Sequence, residues 1–326
     1  MSLIDAHGRR INYLRLSVTD RCNLRCSYCM PAQGVKLLPQ DRVLSYEELL
    51  RVAKQAVAVG IEKIRVTGGE PLVRKGIVPF LKRLALIPGL EELVLTTNGT
   101  LLQGMARELK DAGVQRLNIS LDSLSPVTFA KITRGGDLKA ALAGLEAAER
   151  AGFPPHKINV VLMRGVNDHE ILDFVRLTLE RPYAVRFIEY MPTCQAADWR
   201  SLCIPGSEVL ERIAERFLIE KLERNERSGP AKNFRVKGAV GSLGVITPMT
   251  GHFCDACNRL RVTATGVAKG CLLSGAGVDL GPLLASGDDA SLRDGIRRIV
   301  HDKPGRHRFD EEAGVVAPFV MAGIGG

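Results

Sequence analysis

The chain has 326 residues, 45% of them hydrophobic, with 45 Lys and Arg against 36 Asp and Glu for a formal net charge of +9. That length suits roughly two domains with a full core. No apolar run approaches the roughly 20 residues of a membrane span, and the first ten residues lack a signal-peptide core, so a cytoplasmic protein without a membrane partner is expected. The basic excess suits an anionic partner, either nucleic acid or a phosphorylated small molecule. Aromatics at 5% and a single Trp supply few platforms for stacked bases, so no nucleic-acid partner is expected, though charge alone does not decide it.

In chain order, strands are predicted over Tyr13–Val18, Lys63–Thr67, Leu93–Thr97, Arg116–Leu121, Lys157–Met163 and Val185–Tyr190. Helical stretches separate them. Ser45–Val59 opens on a Ser cap followed by Glu47 and Glu48 and stops before Gly60. Others lie near Gly76–Leu86 and at Leu101–Ala112, Asp137–Ala151 and His169–Arg181. Alternating β and α units mean a parallel sheet or barrel. After about Leu218 the rhythm breaks into a polar linker from Arg224 to Lys232, short β-like pieces at Phe234–Val236 and Gly244–Ile246, a cysteine-bearing stretch, a helix near Ala290–Val300 and a glycine-rich tail. Two domains are expected, residues 1–220 and 221–326.

Parallel strands covered on both faces usually read as continuous apolar runs. Here they alternate. Leu14, Leu16 and Val18 oppose Arg15, Ser17 and Thr19; Ile64 and Val66 oppose Lys63, Arg65 and Thr67; Leu117, Ile119 and Leu121 oppose Asn118, Ser120 and Asp122; Ile158, Val160 and Leu162 oppose Lys157 and Asn159. Arg186 leads one face of the last strand and Phe187 the other. Period two puts the apolar face against helices and a cationic face inward. Such a lumen is costly unless hydrated or filled by a polar ligand, which reads as a binding chamber; solvent-exposed antiparallel strands are the alternative.

Six of the eight cysteines form two triplets, Cys22, Cys26, Cys29 and Cys254, Cys257, Cys271; Cys194 and Cys203 read as small half-buried thiols. Clustering of this kind suits metal rather than disulfides. Closed zinc and iron–sulfur sites normally take four protein ligands. Three sulfurs on a four-iron cubane leave one iron to bind something small. Zinc remains an alternative at each triplet, and the glycines of Gly68-Gly69-Glu70-Pro71, at the end of the second strand, could serve a plain turn.

Cys22-x-x-x-Cys26-x-x-Cys29 after a first barrel strand, with Tyr28 before the third cysteine and Gly68-Gly69-Glu70-Pro71 after the second strand, resembles the radical S-adenosylmethionine superfamily. The resemblance implies a [4Fe–4S] cluster whose free iron chelates S-adenosylmethionine and cleaves it to a 5′-deoxyadenosyl radical. It also implies that Tyr28, Gly69, Ser120 and Met191 hold that cofactor. The second triplet, followed by Asn258-Arg259-Leu260-Arg261, and the runs Leu14–Cys22, Arg65–Pro71, Thr96–Gly99 and Gly325-Gly326 further resemble the GTP 3′,8-cyclase family of molybdenum cofactor biosynthesis.

That family implies an α/β fold, an incomplete (β/α)₆ TIM-like barrel with a smaller C-terminal domain carrying a second [4Fe–4S] cluster. It implies GTP contacts from Arg15, Arg65, Thr96, Lys157, Arg259, Leu260 and Arg261, with Arg186 a further contact. Arg259 and Arg261 are then also catalytic, steadying charge as the cyclised radical is reduced. Hydrogen abstraction from C3′ and attack on guanine C8 would give 3′,8-cyclo-7,8-dihydro-GTP, with the glycine tail reaching toward the site. Implied partners are an electron donor such as flavodoxin or ferredoxin and the next pathway enzyme, cyclic pyranopterin monophosphate synthase; monomer and homodimer stay open. Rival readings are a peptide maturase of the same superfamily and a non-catalytic iron–sulfur or zinc protein binding nucleic acid.

Overall fold

The computed structural model describes residues 2–191, 199–223, 229–274, 277–307 and 321–324. Cys194, residues 224–228 of the polar linker, and Gly325 and Gly326 lie outside these. The six strands read from the sequence are present as β1 (Tyr13–Ser17), β2 (Lys63–Thr67), β3 (Glu92–Thr97), β4 (Arg116–Ser120), β5 (Lys157–Leu162) and β6 (Ala184–Glu189). They pair in that order, each parallel to the next.

The connecting helices are α1 (Tyr46–Ala58), α2 (Ile77–Ala85), α3 (Ala106–Asp111), α4 (Pro126–Thr133), α5 (Leu138–Arg150) and α6 (Ile171–Glu180). Of these, α1, α4 and α5 start on a side chain that satisfies one of their first N–H groups. The Ser45 hydroxyl accepts from the Glu48 N–H at 3.2 Å while the Glu48 carboxylate accepts from the Ser45 N–H at 2.7 Å, a reciprocal cap for α1. Asp137 caps α5 through the Lys139 N–H at 2.9 Å. The apolar faces meet as expected: Leu14, Leu16, Ile64, Val66, Ile119 and Ile158 are at most 1% exposed and join one core with the helices. Each such side chain contributes roughly 1.5–3 kcal/mol by burial.

The chain beyond Leu218 continues the same sheet at both edges. On one side β7 (Ile219–Lys221), β8 (Lys232–Val236) and β9 (Ser242–Ile246) form an antiparallel meander whose last strand runs parallel to β6. On the other, β10 (Arg259–Val262) runs parallel to β1 and is followed by antiparallel β11 (Val267–Lys269) and β12 (Val278–Asp279). The resulting order is β12-β11-β10-β1-β2-β3-β4-β5-β6-β9-β8-β7, a partial barrel to which the C-terminal region adds strands on each flank. Among the described residues five further helices follow β6 in chain order: α7 (Trp199–Leu202), α8 (Gly206–Ala214), α9 (Gly281–Ala285), α10 (Asp289–His301) and the short α11 (Met321–Ile324). Helix α10 lies on α1, with Arg51 bound to Asp289 at 2.6 Å and Arg293 to Gln55 at 2.8 Å. Among the described residues no helix is long and apolar enough to cross a membrane.

Candidate active site

The polar faces of the strands enclose a cavity of about 300 Å³, and all six cysteines of the two triplets line it. Their positions follow from the topology. The first triplet lies on the loop leaving the carboxyl end of β1. Cys257 leads into the amino end of β10, which runs parallel to β1, with Tyr13 opposite Arg259. Cys271 follows β11, which is antiparallel to β10 and so ends beside its start. The two triplets therefore sit at opposite ends of the strands, separated by roughly 16 Å of five-residue strand.

The first triplet is packed against Gly68-Gly69-Glu70. The Gly69 and Glu70 N–H groups each donate at 2.8 Å to the Thr19 and Arg21 carbonyls. A Cβ on Gly69 would lie 2.4 Å from the Arg21 carbonyl oxygen, and one on Gly68 2.7 Å from that of Thr19. Close backbone approach, with no left-handed dihedral involved, is what these glycines supply. Behind them Glu70 is 1% exposed and accepts from the N–H groups of Asn98 at 2.7 Å and Leu72 at 3.1 Å and from the Thr97 hydroxyl at 2.9 Å. Burial outweighs those donors and pushes its carboxyl up to about 7.

Asp122, just beyond β4, accepts from the Val161 N–H at 2.8 Å and from the Tyr28 hydroxyl at 2.7 Å, and burial lifts it to about 6. Glu189, at the end of β6, is bound by the N–H groups of Gly206, Met249 and Thr250 at 2.9–3.0 Å. The carboxyl end of the strands thus carries the acids. Burial drives the Cys22 thiol up to about 11 and Cys26 well above its ordinary value, reinforced by Glu70 and Asp122 respectively.

Cations fill the other half in registered layers. Arg259, Tyr13 and Lys63 stand side by side, and above them Arg261, Arg15 and Arg65. On the facing strands Asn118 stands beside Lys157, and Asn159 beside Arg186. The Asn118 amide oxygen, in the orientation that satisfies both groups, accepts from the Arg65 guanidinium at 2.7–3.1 Å. Although burial alone would raise it, the Tyr13 phenol is held below its ordinary value by Arg65, Arg15, Lys63 and Arg259. Burial and neighbouring guanidiniums push Arg186 and Arg261 down to about 10, which leaves both charged at neutral pH. Thr96 Oγ1, the Tyr13 hydroxyl, Arg186 Nε and Arg261 Nη1 are buried polar atoms for which no protein partner is found among the described residues. Buried polar groups left in this state call for a bound polar partner.

The second triplet is electrostatically the reverse of the first. Arg259 Nη2 donates to the Cys257 sulfur at 3.4 Å and lies over the Phe253 ring with its centre 4.8 Å from the centroid. Burial would raise the Cys257 thiol, but Arg259 and Lys303 overcome it and bring it down to about 6. The donor geometry bears on which metal fits. A mononuclear zinc, with Zn–S of about 2.3 Å, holds its thiolates about 3.8 Å apart. Among the described residues the His, Cys, Asp or Glu donors that converge in a threesome within 4.8 Å are His252, Cys254 and His307, and neither cysteine triplet closes that tightly. The wider, three-sulfur sets suit a polynuclear iron–sulfur centre.

Comparison with known proteins agrees. Residues 16–178 match the radical SAM superfamily, and residues 183–309 match the family described as Molybdenum Cofactor Synthesis C. A Geobacter sulfurreducens protein named GTP 3′,8-cyclase is 60% identical over 326 residues, the whole of both chains. The protein of that name from Moorella thermoacetica is 47% identical over 323 residues, 99% of each. The chain belongs to the GTP 3′,8-cyclase family. Its fold is also that of Streptococcus suis SuiB, solved with S-adenosylmethionine (TM-score 0.59, 14% identity, 89% of this chain and 69% of that one) and with its precursor peptide (TM-score 0.61, 14% identity, 89% and 68%).

Of the residues read from sequence as belonging to a cyclase site, the cavity gathers Arg15, Arg65, Arg259 and Arg261 toward one end and Tyr28, Gly69, Ser120 and Met191 toward the other, with Thr96 near the carboxyl end of β3. Arg186 lines it too, as does Met321 on the short helix α11 (Met321–Ile324) that leads into the glycine tail. Two residues fall elsewhere. Leu260 is 1% exposed and faces the apolar core from the opposite side of β10, so only its backbone could serve a ligand. Lys157 shares the strand face of Asn159 but is not itself a lining residue, and burial, then Arg186, Lys63 and Arg65, push its ammonium down to about 6. Sequence reasoning passed over Tyr13, Glu70 and Asp122 as individual site residues. Tyr13 was reachable, since it shares the period-two face of Arg15.

Proposed function

We propose that this member of the cyclase family converts GTP to 3′,8-cyclo-7,8-dihydro-GTP, the first committed step toward molybdenum cofactor. The observation that carries the reading is a single cavity bounded by a three-cysteine set at each end with five arginines between them. When loaded, the [4Fe–4S] centre on Cys22, Cys26 and Cys29 with S-adenosylmethionine supplies a one-electron cleavage to a carbon radical. The chain's own residues do the rest. Gly69, Ser120, Tyr28 and Met191 would seat the cofactor at the acidic end, where Glu70 braces the Gly68-Gly69 turn through Thr97 and Asn98. Arg15, Arg65, Arg186 and Arg261 would take the triphosphate, each planar guanidinium offering paired donors to phosphate oxygens.

Thr96 Oγ1 and the Tyr13 hydroxyl have unfilled hydrogen-bonding capacity that a ribose or phosphate would satisfy. Cys254, Cys257 and Cys271 would hold the second cluster, anchoring the base at the far end. Ribose and base would then be fixed together in a confined space, and that proximity is the chain's main contribution to rate. Flavodoxin or ferredoxin as electron donor, and hand-over to cyclic pyranopterin monophosphate synthase, complete the proposal. Anaerobic reconstitution followed by dithionite, S-adenosylmethionine and GTP tests it. Release of 5′-deoxyadenosine that depends on GTP, with a cyclised nucleotide by mass spectrometry, supports it; cleavage indifferent to GTP, or none, refutes it.

A further inference from the structure

The residues just past α10 grip the loops that carry the second triplet. Lys303 is 3% exposed. Its ammonium donates to the Arg259 carbonyl at 3.2 Å and to the Gly270 carbonyl, one lying two residues past Cys257 and the other next to Cys271. Gly270 admits it, since a Cβ there would come within 3.2 Å of the Lys303 backbone and side chain. The following Pro304 and Gly305 carbonyls accept from Arg9 at 2.8 Å, and Arg9 also donates to the Cys254 carbonyl at 2.9 Å. Asp5 holds Arg9 in place through a buried contact of 2.6 Å. All three cysteine loops are thereby tied, Cys254 by Arg9 and the other two by Lys303.

A hydrogen-bonding side chain without charge could tie carbonyls equally well. Burial disfavours the Lys303 charge, but Cys257 and Cys271 both favour it, and Lys303, unlike Arg261, which interacts with the same pair, also holds the carbonyls of their loops. The first triplet has Glu70 and Asp122 as its charged neighbours instead. Resting on the reading of Cys254, Cys257 and Cys271 as cluster ligands, we propose that Lys303 is a positioning residue and, beside Arg259, a charge partner of the second metal centre. It sets two of the three cysteine loops and, by opposing the negative charge of thiolates and cluster, stabilises the reduced state. Net charge and hydrogen bonding around the sulfurs are what tune such potentials, and a unit charge in a water-poor site acts strongly.

The test uses the full chain carrying Cys26→Ala, which leaves the second centre to be read alone. Lys303→Met, Lys303→Gln and Lys303→Arg are built on it, reconstituted anaerobically, and followed by iron content and by electron paramagnetic resonance during a redox titration. Lys303→Met and Lys303→Gln should titrate at more negative potential, with Lys303→Arg nearest the parent; loading by the Arg variant where the Gln variant loads no iron supports the same conclusion. Unshifted potentials in the Met and Gln variants would reduce Lys303 to a mechanical tie and overturn the proposal, as would equal iron loss in all three. No paramagnetic centre in the Cys26→Ala parent overturns instead the reading of the triplet.

Discussion

At the scale of single residues, the site depends on side chains that are missing as much as on those present. Gly69 lies so close to the Arg21 carbonyl that a methyl group would have to displace backbone. Gly69→Ala should therefore disturb the loop entering Cys22, and iron bound per chain after reconstitution should drop by about half, one of two centres, while Gly104→Ala, whose Cβ meets nothing within 4 Å, keeps full loading. Lys157 gives a prediction in pH. Its folded value near 6 lies below the 10.5 it has when unfolded, so between those values the unfolded chain binds the additional proton. Stability then rises with pH across that window and levels off below about 6. Thermal melts from pH 6 to 9 should show this rise, and Lys157→Met should flatten it.

The residue pattern revealed most of this but not all. The inward placement of Arg15, Arg65 and Arg186 was legible because a strand has one unambiguous period. The burdens on Glu70, Arg9 and Lys303 were not, because each depends on carbonyl or amide groups brought from distant segments, and backbone groups carry no signature in sequence.

Among elements, strands were easier to read than helices. Every one of β1–β6 was found to within a residue or two, since alternation of apolar and polar residues against a helix-covered face leaves little freedom of register. Helix α4 went unread: Pro126–Thr133 is short, rich in β-branched residues, and opens on Ser125-Pro126, which mimics a turn. What makes it a helix is the Ser125 hydroxyl accepting from the Thr128 N–H at 3.4 Å and the burial of Phe129 and Ile132. The pairing of β9 and β10, which flank the six barrel strands, was equally hard to read, because nothing within four or five residues says which distant strand will pair with them. Caps are a quantitative check at this scale. Ser45→Ala removes one side of the reciprocal cap on α1 and should cost about 1 kcal/mol, read from urea denaturation of the chain without cofactors as a lower midpoint at unchanged slope.

For the whole molecule, the proposed function gives each of the two cysteine sets, separated along the strands, its own task. Cys26→Ala should abolish S-adenosylmethionine cleavage altogether. Cys257→Ala, at the other end of the cavity, should retain some cleavage uncoupled from product, visible as 5′-deoxyadenosine without cyclised nucleotide; wild-type product yield from that variant would refute the division. The acids gathered at one end of the lumen and the cations at the other give the same polarity to the molecule that the two triplets mark.

The Asn258 amide donates to Asn12 at 2.9 Å across 246 residues of sequence, and β1 receives β10 along the same seam. On the ribosome, one border of β1 consequently waits for its neighbour through roughly 10 to 50 s of synthesis at ordinary elongation rates. A nascent chain in that interval exposes an unsatisfied strand border and a half-walled chamber to the surrounding solution. Protection of this interval, by a chaperone or by swift completion of translation, should govern how much protein survives to receive its metal.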